Sequence, residues 1–305
     1  MLHNSILNHE FLLQDRIQKI QSINKQHNLL DNAYLSFSGG KDSTVLHYLI
    51  DLALPENNIP RVFINTGIEY KKIVEFVNEM AKKDNRFIIL KPSQNIKEVL
   101  KEHGYPFKSK EHAYKWNQWY KGSESPRILK YARGESGFDC SKKLLYQFTD
   151  SYKENPNIVM SDRCCFKLKK EPVHKWAKEN KKSITLTGML GEEGGNRSNI
   201  GCLAFKGNGR VDKFHPLIVV THDWEDWFIE KFDIKLCELY YPPYNFDRTG
   251  CKGCPFALKL QHNLDVMEKF FPAERKQCED LWNPVYTEYR RIGYRLKKPY
   301  NPSLF

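Results

Sequence analysis

The sequence predicts an α/β fold in which a parallel sheet carries helices on both faces. Three observations predict it. Apolar or β-branched runs at 33–37, 61–65 and 87–90 read as strands buried on both sides. Between and after them, 42–54, 70–82 and 96–102 repeat apolar residues at helical spacing, an alternation that calls for crossover connections. A glycine-containing polar turn, SGGKDS at 38–43, separates the first strand from the first of these helices.

The elements follow in order. Phe11, Leu12, Ile17, Ile20 and Ile23 mark an amphipathic helix over 9–28. The three strand–helix pairs come next. Residues 105–139 break the rhythm with Lys, Tyr and Trp and read as an insert or lid. A helix at 171–180 leads to a further strand, SITLT at 183–187. Helical patterns return at 257–270 and 273–291. The expected organisation is an N-terminal helix over 1–30, an α/β domain over 31–214, and a C-terminal helical region over 215–305 that carries the CxxC.

The chain has 305 residues, 40% hydrophobic and 28% charged, as in an ordinary globular protein. No run of 18 apolar residues predicts a membrane span, and the start lacks the pattern of a secretory signal. The expected compartment is the cytoplasm. There, eight cysteines suit thiols or metal ligands better than disulfides. A net charge of +11 favours anionic partners, with a lysine-rich solvated surface as the plain alternative.

In an open α/β sheet, ligands bind beyond the carboxyl ends of the strands, where 38–43 falls. Gly39 and Gly40 let the backbone approach a ligand. The next helix turns its free N–H groups and positive dipole end toward that turn. Ser38 and Ser43 add hydroxyls and Lys41 a charge, completing a phosphate cradle. Asp42 can cap the helix or hold Mg²⁺ that bridges phosphate oxygens. The spacing is not GxxxxGK[ST], so this is not the P-loop of kinases and GTPases.

SGGKDS resembles the PP-loop of the adenine-nucleotide α-hydrolases, the N-type ATP pyrophosphatases. That resemblance implies a Rossmann-like sheet and cleavage of ATP between its α and β phosphates. Further stretches resemble the phosphoadenosine-phosphosulfate reductase branch, some of whose members bind an adenylyl sulfate. RVFINTGIEY at 61–70 implies nucleotide contacts by Asn65, Thr66 and Gly67. LTGMLGEEGGNRS at 186–198 implies roles for Gly188, Glu193 and the anion-meeting Arg197. Met189 and Leu190 stand where the family often has arginine. HPLIVVTHDWEDWFIEKFDI at 215–234 resembles a Pro-Leu, Trp and amphipathic-helix segment. The resemblance covers roughly 30–260, with the insert outside it.

Two cysteine pairs stand out, Cys164–Cys165 in RCCFKLKK and Cys251–Cys254 in TGCKGCPF. A CxxC with glycine inside turns two thiolates onto one metal. Adjacent cysteines strain a tetrahedral zinc site, whereas an iron–sulfur cube offers separate corners. CC followed by a distant CxxC is also the arrangement of cluster-bearing adenylyl-sulfate reductases. The expected centre is [4Fe–4S] on Cys164, Cys165, Cys251 and Cys254, with zinc as the competitor. Lys167, Lys169 and Lys170 could offset its charge. Cys140, Cys202, Cys237 and Cys278 read as small buried hydrophobes, Cys202 also as a candidate nucleophile or sulfur carrier.

The favoured chemistry is ATP-driven sulfur transfer, with Lys41, Asp42, Arg197 and Cys202 as catalytic residues. ATP or adenylyl sulfate, Mg²⁺ and the cluster are its cofactors. Relatives of this kind thiolate tRNA or the phosphates of DNA, so a nucleic-acid acceptor and a sulfur donor such as a cysteine desulfurase are the implied partners. Tyr114, Trp116, Trp119 and Tyr120 suit base stacking or the core of a small subdomain. Reduction of adenylyl sulfate to sulfite is the alternative. It calls for a mobile cysteine near the C-terminus, and Cys278, the last in the sequence, sits in a helical pattern. A non-catalytic nucleotide or redox sensor is the third reading.

Overall fold

The computed structural model describes residues 2–135, 142–194, 199–297 and 299, the side chains of 2–7 and 193 excepted. The chain forms two compact units. One comprises Met1–Asn65, Lys71–Lys91 and Pro172–Thr249; the other comprises Thr66–Tyr70, Pro92–Glu171 and Gly250–Phe305. Residues 215–249 therefore belong with the SGGKDS segment, and 92–171 with the CxxC segment, a division the linear sequence did not suggest.

The first unit holds a sheet of six strands: β1 (Ala33–Ser36), β2 (Arg61–Ile64), β3 (Phe87–Leu90), β4 (Ile184–Leu186), β5 (Leu203–Phe205) and β6 (Val211–Phe214). Their order is β3-β2-β1-β4-β6-β5. All pairings are parallel except β5 with β6. The β5–β6 hairpin was not expected. Its strands are three and four residues long, and its turn closes through Lys206 N–H to Arg210 O and Gly209 N–H to Lys206 O, each 2.8 Å. A GNG turn between two short apolar runs was the available signal.

Strand pleating sorts the core. Tyr34, Val62, Ile64, Ile88 and Leu90 meet Val173, Trp176 and Ala177 of helix Glu171–Glu179 on one face. On the other face Phe37 and Phe87 pack edge-to-face at 5.0 Å, and both meet His47 of helix Lys41–Ala53. Helix Leu2–His27 packs on that helix in turn. Helices thus cover both faces.

At the amino end of β2, Arg61 is fully buried. It donates to Asp51 at 2.6 Å, Asn57 at 2.7 Å and His47 Nδ1 at 3.1 Å. Burial first, then Arg61, lowers His47 to about 4, so it accepts as a neutral ring.

The second unit carries the 105–139 insert. Helices Lys110–Tyr120 and Pro126–Ala132 pack together, and His112 bridges Tyr131 Oη and Gln147 Oε1 at 3.0 Å each. Trp116 is fully buried, donating to the Gln147 carbonyl at 2.9 Å and stacking on Tyr120. It is a core residue of this subdomain and presents no face to a base. Among the described residues, no helix is long and apolar enough to cross a membrane.

Candidate functional site

The turn after β1 is built as the sequence predicts. Gly39 takes φ +73°, and a Cβ there would lie 2.9 Å from Ile73 Cγ2. Gly40 precedes helix Lys41–Ala53, and no side chain caps that helix. Asp42 is therefore not its cap, and its carboxylate accepts from its own backbone N–H. The loop amides meet hydroxyl oxygens instead. Ser38 N–H donates to Ser43 Oγ at 3.2 Å, Gly40 N–H to Ser38 Oγ at 3.2 Å, and Lys41 N–H to Tyr240 Oη at 3.1 Å. Ser43 Oγ in turn donates to the Gly40 carbonyl at 3.0 Å. Tyr240 Oη is held 2.7 Å from Thr249 Oγ1.

Charged side chains of both signs surround the loop. Lys41 Nζ lies 3.2 Å from Asp226 Oδ1 and 3.6 Å from Glu225 Oε2, both on helix His222–Lys231. Glu225 is fully buried, and its Oε1 has no partner. Burial, with the field of Asp42 next, pushes its carboxyl up to about 8. Burial also raises Asp42, against the lowering fields of Arg248, Lys41 and His222. A cavity of about 310 Å³ opens beside Lys41, lined by Asp226, Tyr240, Tyr241, Phe246 and Asp247 among others. A larger one, about 570 Å³, sits at Ala53 and Leu54, the far end of the helix, and includes no residue of the turn.

Other expected residues separate into distinct roles. Asn65 follows β2, the neighbour of β1, and its N–H donates to the Leu90 carbonyl at 2.9 Å. In the second unit, Thr66 donates through both N–H and Oγ1 to the Glu69 carboxylate, each at 2.8 Å. Those donors are spent inside the protein. Gly67 takes φ +83° with open space at its Cα, so conformation rather than crowding asks for glycine. Gly188 follows β4 and packs on helix Lys41–Ala53, a close approach that admits no Cβ. Cys202 lies in the first unit beside the β5–β6 hairpin, where its thiol donates to the His215 carbonyl at 3.6 Å. Burial raises its pKa despite Arg16, so the group rests as a thiol. Arg197, Cys140 and the Glu193 side chain lie outside the described residues.

The second unit gathers the cysteine pairs. Cys164 and Cys165 sit on the short turn Arg163–Cys165, and Cys251 and Cys254 on a tight turn closed by Cys254 N–H to Cys251 O at 3.2 Å. All four are free thiols. Gly253, at φ +61°, packs on Cys278, whose Sγ would lie 2.7 Å from a Cβ there. Within the CC pair, Cys164 donates to Cys165, and with Lys110, Lys169 and Lys170 nearby this lowers the Cys165 thiol while Cys164 stays protonated. Burial, then Cys251 and Cys165, pushes Cys254 up to about 12. Lys169 reaches both Cys251 and Glu69, the latter at 3.3 Å. Their charges hold its ammonium well above the usual range, against desolvation. Among the described residues, no three His, Cys, Asp or Glu side chains converge on a point as one metal ion requires.

Sequence reasoning missed Glu225, Asp226, Tyr240, Arg248 and Thr249. All come from segments distant along the chain, Tyr240 lying 199 residues beyond Lys41.

A sheet that is parallel but for its β5–β6 pair, with a glycine turn feeding a helix at the carboxyl end of β1, places the chain among the open α/β folds that bind ligands at that end of the sheet. Residues 32–139 and 138–257 match the phosphoadenosine phosphosulfate reductase domain, and the chain belongs to that family. An uncharacterized protein of Methanocaldococcus jannaschii is 25% identical over 294 residues, 92% of this chain and 55% of the relative. The chain thus spans about half the length of that relative. Among solved structures, phosphoadenylyl-sulfate reductase of Candida auris, a phosphate complex, is 16% identical over 76% of this chain and 87% of its own, with a TM-score of 0.44. The U34-tRNA thiolase NcsA of Methanococcus maripaludis, solved with its [4Fe-4S] cluster, is 14% identical over 93% and 80%, with a TM-score of 0.38.

Proposed function

We propose that the chain is an ATP pyrophosphatase that adenylylates an acceptor for sulfur transfer, and that a [4Fe–4S] cluster accompanies it. The observation that carries the nucleotide reading is the state of the loop amides. Ser38, Gly40 and Lys41 N–H each point at a neutral hydroxyl oxygen, at 3.1–3.2 Å. An anionic phosphate oxygen makes a bond roughly twice as strong and outcompetes a hydroxyl. The helix behind adds its positive end.

On this reading an acceptor oxygen attacks the α-phosphorus in line. The bond from that phosphorus to the bridging oxygen breaks, and pyrophosphate leaves. Lys41 and the amides stabilise charge on the leaving group. Asp42, half-buried at the phosphate end and not the helix cap, would hold Mg²⁺ there.

The donor set of the second unit fits an iron–sulfur cluster. It offers four free thiols on two short turns, with Lys169 reaching Cys251 to offset anionic charge. Cys164, Cys165, Cys251 and Cys254 would hold a cube whose iron corners stand apart. When bound, such a cluster supplies electron or sulfide transfer.

Anaerobically purified protein incubated with ATP and candidate acceptors should release pyrophosphate. Sulfite release from adenylyl sulfate with a thiol donor would instead support the reductase reading. Absence of turnover with either nucleotide would support the sensor.

A further inference from the structure

We infer that the insert subdomain of the second unit is an RNA-binding surface that presents a stacking platform beside a basic stripe. The inference rests on the sulfur-transfer reading only in naming the acceptor; the surface itself is argued from charge and exposure.

The charge of this protein is unevenly placed. The second unit holds 26 of the chain's 48 Lys and Arg but only 17 of its 37 Asp and Glu. Nearly all of the net +11 therefore belongs to the unit that carries the cysteines. Within it, Arg127, Lys130 and Arg133 recur every three residues along helix Pro126–Ala132 and its C-cap, and all three are exposed. That spacing places them on one side of the helix. The buried positions of the same helix, Ile128 and Tyr131, point the other way into the core.

More cations ride on the same packed subdomain. Lys142 and Lys143 are exposed at the start of 3-10 helix Lys142–Phe148. That helix abuts the end of the basic one, since a Cβ on Gly134 would lie 3.3 Å from Leu145. Lys121 is exposed just before it. Against these six stand Glu111, Glu124 and Glu135, with Asp150 and Glu154 on the next helix, Asp150–Glu154, where Lys153 lies between them. Glu111 is committed to Lys115 at 2.8 Å and reaches Arg127 at 3.8 Å.

An aromatic ring adjoins the stripe. Tyr114 is 48% exposed on helix Lys110–Tyr120. It lies three residues beyond Glu111, so it shares the side of the helix that reaches Arg127. A basic track with an exposed ring beside it is the arrangement that binds phosphates and stacks an unpaired base. Folded RNA offers both in its loops, whereas duplex DNA keeps its bases stacked. This favours RNA over DNA.

The test is fluorescence anisotropy of full-length, anaerobically purified protein with a labelled RNA stem–loop and a DNA duplex of matching stem sequence. It is performed without nucleotide at two salt concentrations. The RNA should bind at least about tenfold more tightly than the DNA, and its affinity should fall steeply with salt. The triple variant R127E/K130E/R133E should weaken RNA binding by about tenfold or more, and Tyr114→Ala by about fivefold or more. Circular dichroism checks folding; if the triple variant is unfolded, K142E/K143E is measured instead with the same expectation. Unchanged RNA binding in the folded charge variants, or DNA bound as tightly as RNA, would overturn the inference. Pyrophosphate release is assayed separately. Turnover without RNA binding sinks this inference alone, and RNA binding without turnover leaves it standing while sinking the proposed activity.

Discussion

Gly188 passes so close to the first turn of helix Lys41–Ala53 that a Cβ on it would lie 2.5 Å from the carbonyl oxygen of Asp42. The glycine is thus required by packing, whatever it does for a ligand. Gly188→Ala should push the helix start away from β4 and cost about 1–3 kcal/mol. Thermal unfolding checks it: a melting temperature equal to that of the native chain would show that the approach is looser than the geometry says.

Glu225 gives a pH signature. Its carboxyl is pushed up to about 8 by burial and by Asp42, above the ordinary glutamate value. The folded state therefore keeps a proton that the unfolded chain has released. Stability from this group is full below the ordinary carboxylate range and is lost as pH rises through about 8. Glu225→Gln removes that titration. In melts from about pH 5 to about pH 9, the native chain should lose more stability than the variant. Parallel curves would refute the assignment.

Thr66 and Lys169 share one carboxylate, that of Glu69. Glu69→Ala leaves the buried Thr66 N–H without its acceptor and Lys169 without its carboxylate. The expected cost is about 2–3 kcal/mol, read by denaturant unfolding. A change under about 0.5 kcal/mol would mean that water replaces the carboxylate freely.

The cysteines divide into ligands and packing. Anaerobically purified protein should be brown and contain iron. Cys164→Ser should lose the metal, because that thiol is one of the four proposed ligands. Cys278→Ser should keep it, because Cys278 is buried in helix Pro272–Arg291 beneath Gly253. Zinc in a colourless protein, or metal lost equally in both variants, would contradict the division.

What could be read in the sequence was what is local. The turn at 38–43 sits within six residues between two elements, so the glycines, hydroxyls and lysine announced themselves. The cysteine pairs did likewise through their adjacency and their CxxC spacing. Hidden were the partners delivered by folding. Tyr240, which meets the Lys41 amide, lies far along the chain with no motif tying it to the turn, and Glu225, which meets the Lys41 ammonium, lies in the 215–234 stretch whose resemblance singled out no acidic residue. The resemblance of RVFINTGIEY to the family implied a nucleotide contact for Thr66; what the sequence did not show is that Glu69, three residues on, takes both its donors. Trp116 was open between base stacking and core, and only its complete burial decides for core. The β5–β6 hairpin is too short for periodicity to show.

The most direct measurement follows the phosphates of ATP. Native protein, anaerobic and with Mg²⁺ and an RNA acceptor, is given ATP, and the products are separated. Ser38→Ala and Asp42→Ala are run beside it. The account predicts pyrophosphate and an adenylyl group or AMP, with turnover falling by about tenfold or more in both variants. Release of ADP and inorganic phosphate, or undiminished turnover in both variants, would contradict it.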